Sequence, residues 1–118
     1  EYEIMEILIS ENVPIMAGTD EDNPYAFPGF SLHDELALYV ERGMTTAEAL
    51  RSATIIPAKF LNMSDSLGSI RVGNLEDLTL LTANPLEKIE NTTRIQAVIA
   101  NGKLYDKNYI DSVLRKSY

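Results

Sequence analysis

The chain is 118 residues long, enough for one domain or part of one. It carries 18 acidic against 10 basic residues, a formal net charge of −8, which argues against a nucleic-acid partner because phosphate backbones require a clustered basic surface. There is no cysteine, which excludes disulfides, thiolate metal sites and cysteine nucleophiles and fits a reducing, cytoplasmic compartment.

The remaining composition is that of a soluble globular protein, with 45% hydrophobic and 24% charged residues, six Gly and five Pro. No apolar run approaches the roughly 20 residues of a membrane span, so no membrane partner is expected. The sequence opens at Glu1 in helix-like sequence, and the true N-terminus is expected upstream.

Taken in order, EYEIMEILISENVP places Tyr2, Met5, Leu8 and Ile9 at helical spacing, with Ile4 and Ile7 widening the stripe. Asn12 and Pro14 mark its end. VPIMAGTD, whose residues 13–18 are mostly apolar, reads as a buried strand, and a helix leading into such a strand suggests an α/β unit with a parallel sheet. EDNPYAFPGF holds two prolines and a glycine and reads as a loop.

Ser31 is placed to cap a helix over 32–43, with Asp34 and Glu35 in the first turn, Leu32, Leu36, Tyr39 and Val40 on one face, and Gly43 as the stop. Thr45 to Glu48 form a capping box that opens a second helix, and IPAKFLNM forms a third with Pro57 in its first turn. Beyond about residue 66 the character changes. SIRV, between Gly68 and Gly73, and DLTLL read as strands. Asn101-Gly102 is a strong hairpin signal between two apolar runs, and KNYIDSVLRKSY closes the chain as a helix. Two parts result: a helical α/β part over residues 1–64, and a small β-rich part with a terminal helix over 65–118.

AGTD after an apolar run, then GFSLHDELALYVERGMTTAEALRSAT, PAKFL, LGSIRVGNLEDLTLL, NPLEKI and VIANGKLYD follow one another across nearly the whole chain. This ordered set resembles the C-terminal end of a metal-dependent amidohydrolase of the imidazolonepropionase-like and prolidase-like branch. The resemblance implies an α/β fold, the C-terminal segment of a (β/α)8 barrel followed by part of a small β-sandwich. Residues 13–18 would be the last barrel strand and 32–43 the helix after it. A complete barrel takes about 250 residues, so the resemblance is to a fragment of an enzyme. One departure is Glu76 before Asp77-Leu78, where the family has a small residue, which suggests looser packing there.

The resemblance also implies the chemistry. Asp20, at the mouth end of the last strand, would be a metal ligand and the catalytic general base of a C–N bond hydrolase acting on cyclic or dipeptide-like amides. The implied cofactor is a divalent metal, zinc by the family pattern, and the implied partner a small-molecule amide. The other family ligands are missing from this sequence, so the chain alone is expected to be inactive and to bind no metal tightly.

His33, the only histidine, stands in the SLHDEL setting where the family carries a substrate-side residue. Its two readings are a substrate-binding group and a helix-start histidine bonded to the neighbouring loop. Tyr25, Phe27 and Phe30 either line a pocket or pack the loop. Ser31 is a cap and not a nucleophile, since no base is placed for it. A stand-alone, non-catalytic interaction module is the competing function. Exposed strand edges and an uncovered helix face lead to an expectation of self-association.

Overall fold

A computed structural model describes residues 2–19 and 30–117. Residues 20–29, which include Asp20, Tyr25, Phe27 and all of the expected loop but Phe30, lie outside the described residues. Helix α1 spans Tyr2–Ser10, α2 Ser31–Glu41, α3 Thr46–Ser52, α4 Ile55–Phe60 and α5 Lys107–Ser117. Strands β1 (Leu78–Leu81), β2 (Ile95–Ala100) and β3 (Lys103–Asp106) form an antiparallel sheet in the order β1-β2-β3, and a 3-10 helix, Ile89–Thr93, precedes β2. None of these helices is long and apolar enough to cross a membrane.

Three of the helices end by one device. At α2, the Met44 N–H bonds Tyr39 O and the Gly43 N–H bonds Val40 O, with Gly43 at φ 123°. These are the paired bonds of a Schellman cap, with the residue after the helix end in a left-handed conformation. Asn12 (φ 56°) closes α1 and Asn62 (φ 58°) closes α4 in the same way. Asparagine tolerates that conformation better than other residues with a Cβ. The expected capping box is present at α3, where Thr45 Oγ1 accepts from the Glu48 N–H and the Glu48 carboxylate accepts from the Thr45 N–H. At α2 the expected cap is displaced. Phe30 occupies the cap position and Ser31 is already helical, so the chain enters α2 one residue earlier than a Ser cap would require.

The core gathers where α2 meets α3. Leu36 and Tyr39 of α2, Met44 of the cap, Ala49 of α3 and Ile89 of the 3-10 helix form one buried cluster. Met5, Ile9, Ile15, Ala17, Val40 and Leu50 pack around it. Ala49 and Ser52 are the buried positions of α3, and their small size lets that helix lie close. Ile89 draws the β-rich part into the same core as the helices.

Asn101 (φ 53°) and Gly102 (φ 76°) turn β2 into β3 in the left-handed pair that a two-residue hairpin needs. Asp77 Oδ1 accepts the Asn101 N–H at 2.7 Å, and the Gly102 N–H reaches Glu76 O at 3.4 Å. The Glu76-Asp77 pair thus braces the hairpin turn. Asp106 caps α5 by accepting the Tyr109 N–H at 2.8 Å, and the Tyr105 and Tyr109 rings lie 5.2 Å apart across that junction.

Two expected strands are not formed. Residues 13–18 pair with no strand, and the Ala17 N–H bonds Ser52 O at the end of α3 instead. An apolar segment becomes a parallel strand only where flanking strands offer a ladder, and none is present among the described residues. SIRV forms no strand either. Ile70 is 86% exposed and Val72 fully exposed, so their β-branched side chains meet no partner surface.

Gly68 and Gly73 both lie in the left-handed region, at φ 91° and 93°, but in different surroundings. A Cβ on Gly68 would stand 2.7 Å from Ala58 Cβ and 3.0 Å from Thr54 O, whereas one on Gly73 would meet nothing within 4 Å. Gly73→Ala is expected to cost about 1 kcal/mol of backbone strain, and Gly68→Ala about 1–3 kcal/mol more from the clash. Denaturant unfolding of the two variants beside the parent chain checks this order.

Candidate functional site

His33 leaves the first turn of α2 and reaches a residue 59 positions away. Its Nδ1 lies 2.9 Å from Thr92 Oγ1 in the 3-10 helix, and the same hydroxyl donates to Ile89 O at 3.0 Å. A threonine hydroxyl has one proton to give. With that proton on Ile89 O, the imidazole is the donor to Thr92. In that arrangement Nδ1 carries the ring proton and Nε2 the lone pair. Among the described residues the side-chain partner of His33 is this buried threonine.

Burial holds the His33 imidazole below its ordinary value of 6.5, and the neighbouring Asp34 carboxylate pulls weakly the other way. His33 and Thr92 share the wall of an open cleft of about 420 Å³ between the start of α2, the end of α3, the Leu67–Ile70 turn and the β1 edge. Its lining is mainly apolar, with Leu32, Leu36, Leu50 and Leu78 among the contributors.

A second polar arrangement lies on the core side of the same helix. Glu35 and Tyr39 are four residues apart, the spacing at which helical side chains meet. The Tyr39 hydroxyl donates to Glu35 Oε1 at 2.9 Å and makes a longer contact, 3.4 Å, with Met16 O. Burial, then the bond to Glu35 and its charge, raise the Tyr39 phenol above its ordinary value of 10.0. Glu35 Oε2 is buried with no hydrogen-bond partner among the described residues. The sequence alone places Glu35 only in the first turn of α2. The i, i+4 spacing to Tyr39 was the signal that could have singled it out. Thr92 had no such signal, since its pairing spans half the chain.

No group of three or more His, Cys, Asp or Glu side chains able to hold a metal occurs among the described residues. They do not by themselves fit a metal centre. The segment leading to Asp20 is held at Met16 by Tyr39 and at Ala17 by Ser52, and Asp20 itself lies beyond the described part.

The Amidohydrolase family profile matches residues 1–105. Among solved structures, a Xaa-Pro dipeptidase with bound methionine is 34% identical, with a TM-score of 0.80 over 89% of this chain and 25% of its own. Molinate hydrolase is 30% identical, with a TM-score of 0.82 over 89% of this chain and 26% of its own. Phenylurea hydrolase B is 28% identical, with a TM-score of 0.80 over 88% of this chain and 26% of its own. The chain thus spans about a quarter of the length of these structures. No curated protein matches.

Because its imidazole pKa is depressed on folding, His33 favours the folded state fully above pH 6.5, and that contribution is lost as pH falls below it. The unfolding midpoint is expected to decline in the window just below 6.5. His33→Gln, which keeps a donor for Thr92 without a titrating ring, is expected to flatten that part of the profile. Urea unfolding followed by circular dichroism from pH 7.5 to 5.5 checks it.

Proposed function

From a chain that belongs to the amidohydrolase family, we propose the C-terminal quarter of an enzyme that hydrolyses C–N bonds in cyclic or dipeptide-like amides. In that reading residues 1–64 close a (β/α)8 barrel and 65–118 contribute to its small β-sandwich. The observation that carries it is the 34% identity to a dipeptidase over 89% of the chain, joined to a family match from residue 1 to 105. Molinate hydrolase and phenylurea hydrolase B are named for hydrolysis as well.

Asp20 is the residue of this chain assigned to the chemistry. The described residues hold no metal centre, so a divalent metal, zinc by the family pattern, would depend on ligands outside residues 1–118, with Asp20 as the ligand contributed here. Such a metal supplies Lewis acidity and an activated water when bound. The Asp20 carboxylate takes a proton from the attacking water and returns it to the leaving nitrogen. His33 is assigned to the substrate side, with Nδ1 tied to Thr92 and the Nε2 lone pair available to accept a substrate N–H.

The isolated chain has a second expected property, association with its own copies. Phe60, Leu61, Ile70 and Leu80 are each 60% exposed or more, an arrangement of apolar surface that favours contact over solvation.

In the full-length enzyme Asp20→Asn is expected to lower turnover of an Xaa-Pro dipeptide or a phenylurea by roughly 10²–10⁴-fold, the span of a lost general base. Near-normal turnover on a substrate that the unsubstituted enzyme cleaves would overturn the assignment. Analytical ultracentrifugation of residues 1–118 is expected to give a mass that rises with concentration. A single monomeric species across the accessible range would contradict self-association.

A further inference from the structure

A buried carboxylate oxygen without a partner is costly to a fold, and natural sequences keep few of them. Glu35 Oε2 is such an atom among the described residues. Its sister oxygen is committed to the Tyr39 hydroxyl at 2.9 Å, so the carboxylate cannot swing out to water without breaking that bond. Tyr39 is only 4% exposed and packs in the main core cluster, which fixes the position of its hydroxyl.

The same hydroxyl stands 3.4 Å from Met16 O, four residues before Asp20. One residue on, the Ala17 N–H is bonded to Ser52 O at 2.8 Å. Ser52 is itself 1% exposed and turns its hydroxyl back to Ala49 O, leaving its carbonyl to the Ala17 bond. Residues 16–17 are thus gripped from two sides, by α2 through Tyr39 and by α3 through Ser52. No strand ladder holds them among the described residues.

We propose that Glu35 and Tyr39 are a positioning pair, retained at a cost in stability, that sets the path of the segment delivering Asp20. The proposal rests on the hydrolase reading. The one phenol proton is shared between the Glu35 carboxylate at 2.9 Å and Met16 O at 3.4 Å, so the carboxylate sets where the weaker bond to Met16 O can form. With its pKa raised by burial and by Glu35, the Tyr39 phenol stays protonated, and hence a donor, throughout the physiological range. Neither side chain is assigned contact with substrate.

Stability and catalysis should then move apart. Glu35→Gln replaces the unpartnered oxygen with an amide nitrogen while keeping an oxygen for Tyr39, and is expected to leave the unfolding midpoint of residues 1–118 unchanged or raised. In the full-length enzyme the same variant is expected to lower kcat about tenfold with KM unchanged, the signature of a group that matters only on the way to the transition state. Tyr39→Phe is expected to match it in kcat. The double variant is expected to be no worse than either alone, because both act through one bond. Amide exchange at Ala17 should quicken in Tyr39→Phe.

Asp20→Asn serves as the reference. If it abolishes turnover while Glu35→Gln and Tyr39→Phe keep the unsubstituted kcat, the positioning role is overturned and the hydrolase reading stands. If Asp20→Asn is as active as the unsubstituted enzyme, the hydrolase reading itself falls. A Glu35→Gln chain that is markedly less stable, with kcat and amide exchange at Ala17 unchanged, makes Glu35 a structural side chain only and also overturns the role.

Discussion

The close packing of α2 on α3 is the constraint from which the rest of the arrangement follows. Leu36 and Tyr39 can be buried only because α3 presents Ala49 and Ser52 at the contact, and larger residues there would hold the helices apart. Once they are together, Tyr39 comes within reach of Met16 and Ser52 within reach of Ala17. The same packing draws Ile89 into the core and so brings Thr92 under His33. One helix pair thus organises both polar arrangements of the candidate site.

Much of this was legible because the signals were local. Asn12, Gly43 and Asn101-Gly102 each lie where a left-handed residue closes a helix or turns a hairpin, and each announces itself through residue type. Thr45 and Glu48 make their bonds within one helical turn. The α2 face was readable from the spacing of Leu36, Tyr39 and Val40, although Leu32, on the same stripe, stays 39% exposed at the cleft. Periodicity marks the side able to be buried and cannot say how far along the helix the covering partner extends.

The failures share the opposite cause. Residues 13–18 and 69–72 have strand-like composition, but a strand is a relation between segments, and its partners must be present for the pattern to be realised. The bond from His33 to Thr92 crosses 59 residues and depends on a short 3-10 helix with no periodic signature. Ser31 had the chemistry of a cap but was overruled by the helix starting one residue earlier, at Ser31 itself, which leaves Phe30 as the cap. In the candidate site, Asp20 was singled out by resemblance, whereas the grip on Met16 and Ala17 became visible only once the helices were packed.

The apolar side chains left in solvent follow the same logic. Ile70, Val72 and Leu75 lie on the turn that borders the cleft, and Leu80 lies on the edge strand beside it. Ile4 and Ile7 mark a second exposed face, on α1. Burying one such side chain contributes about 1.5–3 kcal/mol. Several exposed together therefore represent a free energy comparable to the whole stability of a small domain. The packed helix pair does not need them, since its cluster closes without their help. At −8 the surface repels other acidic chains at long range, so any association must be carried by these apolar contacts and should tighten as salt screens the repulsion.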